Sequence, residues 1–171
     1  YRVGLSPAGV EILAQSGHQI FVEHDAGVGA GFSDQEYERA GARVAYSAEE
    51  VFGRADLLLK IARPLKKEME WLKEGSILAG LLHLPSSSQD QIDILLEKKV
   101  TALAYEQITD ASGALTVLRP FSLMCGAMVP QIAARLLQNN WGGKGILLSG
   151  LPGVPSAEVV IIGGGVVGMS A

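Results

Sequence analysis

The sequence predicts an α/β fold built on parallel sheets. Three observations carry that expectation. Short apolar runs alternate with amphipathic segments that open on helix-capping residues. Two of the runs, within "ADLLLKIARP" and "SILAGLLHL", are continuous and of strand length, the pattern of strands buried on both faces. From about Leu118 the pattern changes to a longer helical period, which ends the alternating region.

The elements follow in order along the chain. Ser6 before Pro7 reads as an N-cap and first helical residue, opening a helix through "AGVEILAQS" that Gly17 ends. "HQIFVEH", residues 18–24, alternates as a strand does. Ser33 with Glu36 and Ser47 with Glu50 have capping-box spacing, and each starts a short helix. The two apolar runs are strands, "SQDQIDILLEKK" is a helix, and "VTALAYEQI" is a further strand. "FSLMCGAMVPQIAARLLQNN" is a long helix in which Pro130 is expected to cause a kink, with Cys125 as buried apolar filler. "GGKG" and "GLPGVP" form a Gly/Pro-rich connection suited to a rigid turn. "AEVVII", from Ala157, then starts a new strand. The expected organisation is one domain over residues 1–121, a connector over 122–156, and the start of a second domain over 157–171.

Composition bounds the function. With 48% hydrophobic and 19% charged residues the chain is globular. A net charge of −4 without a basic cluster argues against nucleic acid as a partner. A single cysteine forms no internal disulfide, the first residues lack the apolar core of a signal peptide, and Gly and Pro interrupt the least charged stretch. The expectation is a cytoplasmic protein with no membrane span. No Cys, His or carboxylate pair has a metal-ligand spacing, so no metal is expected.

Gly163, Gly165 and Gly168 fit G-x-G-x-x-G directly after the last expected strand. The first glycine of such a motif permits a tight turn, the second lets backbone approach a pyrophosphate, and the third lets helix pack on strand. The acidic residue that would complete the motif, about 20 positions further on, has no place within 171 residues.

Several segments together resemble the alanine dehydrogenase and proton-translocating transhydrogenase family. They are "YRVGLSPAGVEIL", "GHQIFVEHDAGVGAGFSDQEYERAGA", "ADLLLKIARP", "LLHL", "VTALAYEQI" and "LPGVPSAEVVIIGGGVVG", in that order and over essentially the whole chain. The resemblance implies a Rossmann-like parallel substrate domain, a long connecting helix, and the first strand and glycine turn of a truncated Rossmann NAD-binding domain. It also implies that the chain is a piece of a protein about twice as long, and inactive by itself. The implied activity is reversible, NAD-linked oxidative deamination of L-alanine to pyruvate and ammonia, in a homo-oligomer that family resemblance makes a hexamer.

Site residues are implied by the same resemblance. Arg2, in "YRV", matches the family's substrate arginine, and a guanidinium suits the carboxylate of an amino or keto acid. His83, in "LLHL", matches the catalytic histidine, and histidine suits proton transfer near neutral pH. Lys60 is the first lysine of the "KIARP" segment and a substrate-binding candidate. The family's second lysine, two residues on, is replaced here by Ala62, and period-2 alternation points Lys60 and Ala62 to one strand face. Whether Lys60 or Arg63 stands in for it is left open by the residues. Ser122 matches a serine that contacts the nucleotide, while His18 and His24 read as structural. Tyr105 and Glu106 lie near the cleft in the family, but the residues suit a strand end equally well. The alternatives are a transhydrogenase nucleotide-binding subunit, a lysine- or saccharopine-forming dehydrogenase, and a non-catalytic binding module on the same fold.

Overall fold

The structure, a computed structural model, describes residues 2–160. The chain divides into two compact units, Tyr1–Gln107 and Ile108–Ala171.

In the first unit, helices and strands alternate as the capping pattern requires. Helix α1 (Pro7–Gln15) starts at Ser6, whose Oγ accepts the Gly9 N–H at 3.4 Å. Strand β1 (Ile20–Glu23) leads to α2 (Asp34–Arg39). There the capping box closes, with Ser33 Oγ accepting from Glu36 N–H and Glu36 Oε2 from Ser33 N–H. Strand β2 (Ala42–Ala45) and α3 (Ala48–Arg54) follow, the latter capped by Ser47 Oγ on Glu50 N–H at 3.1 Å. Then come β3 (Leu57–Ala62), α4 (Lys66–Glu70), β4 (Ile77–Leu81), α5 (Gln89–Glu97) and β5 (Thr101–Ala104). β1 pairs with β2, and β3–β4–β5 form a second sheet in that order; every pair is parallel. No antiparallel hairpin interrupts residues 55–84, so the helical crossovers expected from the pattern are present.

Two apolar clusters hold this unit. Phe52, Leu58, Met69, Leu72, Leu78, Leu82 and Leu95 pack β3 and β4 against α3, α4 and α5. Val10, Tyr37 and Ala42 form the second, between α1, α2 and β2. The expected alternation in β3 is broken. Leu59 pairs with Ala79 and Ala62 with Leu81, so β3 carries one extra residue in a bulge. The bulge directs the Lys60 carbonyl at Gly80, where a Cβ would stand 2.2 Å from that oxygen. Period 2 therefore does not carry through from Lys60 to Ala62.

In the second unit, α6 (Leu118–Leu136) begins where the sequence period changes and runs through Pro130. Its buried positions are Ser122 and Gly126, one helical turn apart. Cys125 is exposed, not buried filler, because it lies a quarter-turn round from that face. "GLPGVP" is the tight turn expected: Leu151 and Val154 exchange backbone hydrogen bonds, with Gly150 and Gly153 at φ 69° and 84°. Residues 157–160, the described part of the expected last strand, carry no regular structure and pair with no strand among the described residues. Ile161, Ile162, Gly163, Gly165 and Gly168 lie outside the described residues.

Candidate active site

Because β3, β4 and β5 are parallel, their C-terminal ends share one sheet edge, where open α/β sheets bind ligands. Each end supplies one polar group. Arg63 directly follows β3, His83 lies two residues beyond β4, and Glu106 two beyond β5.

His83 is the centre of the arrangement. Its backbone is left-handed, at φ 46° and ψ 45°, a conformation non-glycine residues seldom adopt. Glu106 holds it there. Oε1 of Glu106 accepts the His83 N–H at 2.6 Å and Oε2 accepts the Leu82 N–H at 3.2 Å. The His83 carbonyl accepts from Ser86 N–H and from Ser86 Oγ, both at 2.9 Å. The imidazole is left 61% exposed, with Nδ1 4.0 Å from Glu106 Oε1. Arg63 reaches the same loop, its Nη1 donating to Ser87 Oγ at 2.9 Å and Ser86 Oγ at 3.5 Å. Arg63, Ser86, His83 and Glu106 are thus linked in one hydrogen-bonded chain across three strand ends.

The other candidates are placed differently. Lys60 Nζ is 2.6 Å from both oxygens of Glu68 and 5.4 Å from the Phe52 ring centroid, so its charge is engaged on the α3–α4 side. Arg2 is exposed on a segment that runs beside β3: a Cβ on Gly4 would lie 2.6 Å from the Leu59 carbonyl oxygen. Ser122 is 3% exposed in the second turn of α6. Glu106 is the site residue to which the sequence gives no distinct signal, since its partners are backbone groups.

A second polar cluster joins His24, Asp25 and Asp34, whose potential ligand atoms lie within 4.8 Å of one another. Asp34 Oδ2 bonds His24 Nδ1 at 2.5 Å, and Asp34 Oδ1 accepts the Asp25 N–H at 3.0 Å. The Asp34 hydrogen bond holds the His24 pKa above its ordinary value. Sequence spacing hid this cluster because Asp34 lies ten residues from His24.

Residues 1–125 match the family model "Alanine dehydrogenase/PNT, N-terminal domain", and residues 129–171 match the C-terminal domain model of that family. The chain belongs to the alanine dehydrogenase/PNT family. It is 46% identical to an alanine dehydrogenase of Methanococcus maripaludis over 99% of its own length and 45% of that protein. It is 40% identical to one of Mycobacterium tuberculosis, over 100% of this chain and 46% of that one. A solved L-alanine dehydrogenase superposes with a TM-score of 0.86 at 41% identity, covering 99% of this chain and 46% of that one. A transhydrogenase of Sinorhizobium meliloti gives 0.69 at 30% identity, covering 78% and 40%. The chain therefore spans less than half the length of the alanine dehydrogenases it matches. No helix among the described residues is long and apolar enough to cross a membrane.

Proposed function

We propose that this chain supplies the substrate-binding half of an NAD-linked amino-acid dehydrogenase that interconverts L-alanine and water with pyruvate and ammonia. The observation that supports it best is His83, fixed at the sheet edge in a chain that resembles alanine dehydrogenases along its whole length. The domain limits that go with this reading are residues 1–121, 122–156 and 157–171. The 171 residues alone are inactive on this reading, and the complete protein is a cytoplasmic homo-oligomer.

NAD, when bound, accepts hydride from the substrate Cα; the glycines proposed to hold it lie outside the described residues, and Ser122 is the further candidate contact. The steps assigned to this chain are its own. Arg2 pairs with the substrate carboxylate. As water attacks the protonated imine carbon of the oxidised substrate, His83 takes one water proton and returns it to the nitrogen. As the C–N bond breaks to release ammonia, the carbinol O–H gives its proton back to His83 and the pyruvate carbonyl forms. An exposed imidazole on a pinned backbone suits this, because the ring meets solvent and substrate while its Cα stays fixed. Lys60 reaches the substrate only by leaving Glu68, so Arg63 is the better placed cation at the β3 end.

A second reading is favoured by Ala62, where family resemblance expects a lysine: a transhydrogenase-type subunit that acts on nucleotides alone. Assaying the complete protein that carries this chain decides between them. NADH formation with L-alanine, and its consumption with pyruvate and ammonium, supports the dehydrogenase. Hydride exchange between nucleotides without either supports the transhydrogenase.

A further inference from the structure

We propose that Glu106 is a positioning residue for this reaction, its carboxylate clamping the left-handed turn at His83 and so fixing the point and direction from which the imidazole projects. The inference rests on the dehydrogenase reading of the site.

Three features of the turn lead there. The Glu106 side chain is only 11% exposed, yet no lysine or arginine among the described residues pairs with it. Its charge is met instead by two successive backbone N–H groups, Leu82 and His83, one on each oxygen. Charge-assisted bonds of this kind are stronger than neutral ones, and a pair of them fixes both position and direction. The residue they hold is the one in the strained conformation, with φ at 46°. On the other side of the same residue, Ser86 holds the carbonyl. With N–H and C=O both pinned, only the side-chain torsions of His83 stay free.

The geometry separates this role from a proton relay. Glu106 Oε1 lies 2.6 Å from the His83 backbone nitrogen but 4.0 Å from Nδ1. The carboxylate bonds the backbone and leaves the ring unbonded. Glu106 therefore acts on catalysis through the placement of His83, without touching substrate.

Glu106→Gln in the complete protein tests this, since the amide turns one acceptor into a donor facing an N–H. The expected result is a kcat at least about tenfold lower with KM for pyruvate within about threefold, because misplacing a catalytic group slows turnover more than it weakens binding. In a His83→Ala background the same change should alter kcat by less than about twofold. Amide exchange at His83, read by hydrogen–deuterium exchange, should accelerate by at least about tenfold. A full kcat loss retained in the His83→Ala background, or unchanged exchange at His83, overturns the proposal. Should Glu106→Gln unfold the protein, Glu106→Asp, which keeps the charge, carries the same comparisons. A wild-type protein inactive on alanine and pyruvate overturns the dehydrogenase reading and the catalytic half of this inference with it. The exchange measurement still decides in that case whether Glu106 holds the turn.

Discussion

The hydroxyl of Tyr37 donates a 2.8 Å hydrogen bond to the carbonyl of Leu5, which lies 32 residues earlier in the chain. Tyr37 is fully buried, its ring T-shaped against Phe32 and close to Gly27, where a Cβ would come within 2.5 Å of it. Gly4, the residue before Leu5, is the one pressed against β3 at Leu59. The bond therefore ties the segment carrying Arg2 to the body of the first unit.

Tyr37→Phe removes the hydroxyl and leaves the Leu5 carbonyl without this donor. The expected loss is about 1–3 kcal/mol, read as a lower Tm by calorimetry. On the proposed function, KM for pyruvate should rise several-fold while kcat changes less, because Arg2 binds and does not react. An unaltered Tm would mean that the Leu5 carbonyl has another donor.

Gly80→Ala tests the bulge in β3. The added methyl meets the Lys60 carbonyl at 2.2 Å, and backbone on both sides limits relief. Overpacking of this kind costs about 1–3 kcal/mol. Gly53→Ala is the control: it lies inside α3 with nothing within 4 Å of the new Cβ. That change should be neutral or stabilising, by up to about 1 kcal/mol, from helix propensity alone. Equal Tm shifts in the two variants would show that the Gly80 contact relaxes freely.

The elements that the sequence made legible are those with local chemistry. Ser6 with Pro7, Ser33 with Glu36 and Ser47 all cap the helices their spacing predicts. The apolar runs became β3 and β4 because buried parallel strands need apolar residues on both faces. β2 carries no sequence signal of its own, since four residues that include Arg43 show no periodicity; it exists through its pairing with β1. α4 is five residues long and follows Leu65, which has no capping oxygen; its start is held only by Glu68, which accepts the Leu65 N–H at 2.6 Å. The place of His83 at a strand end was legible. Its left-handed backbone, the Glu106 clamp and the bulge at Lys60 were not, because each depends on backbone atoms of a neighbouring strand.

The His24–Asp34 bond predicts a pH dependence of stability. The His24 pKa lies above its ordinary 6.5 in the folded protein, chiefly through the Asp34 hydrogen bond. Protonated His24 thus favours the fold. Its contribution is fully present below about pH 6.5 and is lost as pH rises through the folded-state pKa. Thermal melts of wild type and Asp34→Asn across this range should converge as pH climbs. Curves that stay parallel at all pH values would show that the bond does not depend on the histidine charge.

His83 sets stability against activity, and two variants separate them. The left-handed backbone costs an alanine about 1–2 kcal/mol, while glycine enters that region freely. Glycine also gives the unfolded chain more freedom, which offsets roughly 0.5–1 kcal/mol of the gain. His83→Gly should therefore be more stable than His83→Ala, and close to wild type because the exposed ring contributes little packing. Both variants lack the imidazole, so on the proposed function both should lose about 2–4 orders of magnitude in turnover. Paired melts and steady-state assays of the complete protein check this. If His83→Ala matched His83→Gly in Tm, the turn would relax out of the left-handed region once the ring is gone, and the Glu106 clamp would be too weak to hold it. If either variant kept wild-type turnover, the histidine at this strand end would be a structural residue, and the proton transfers would belong elsewhere.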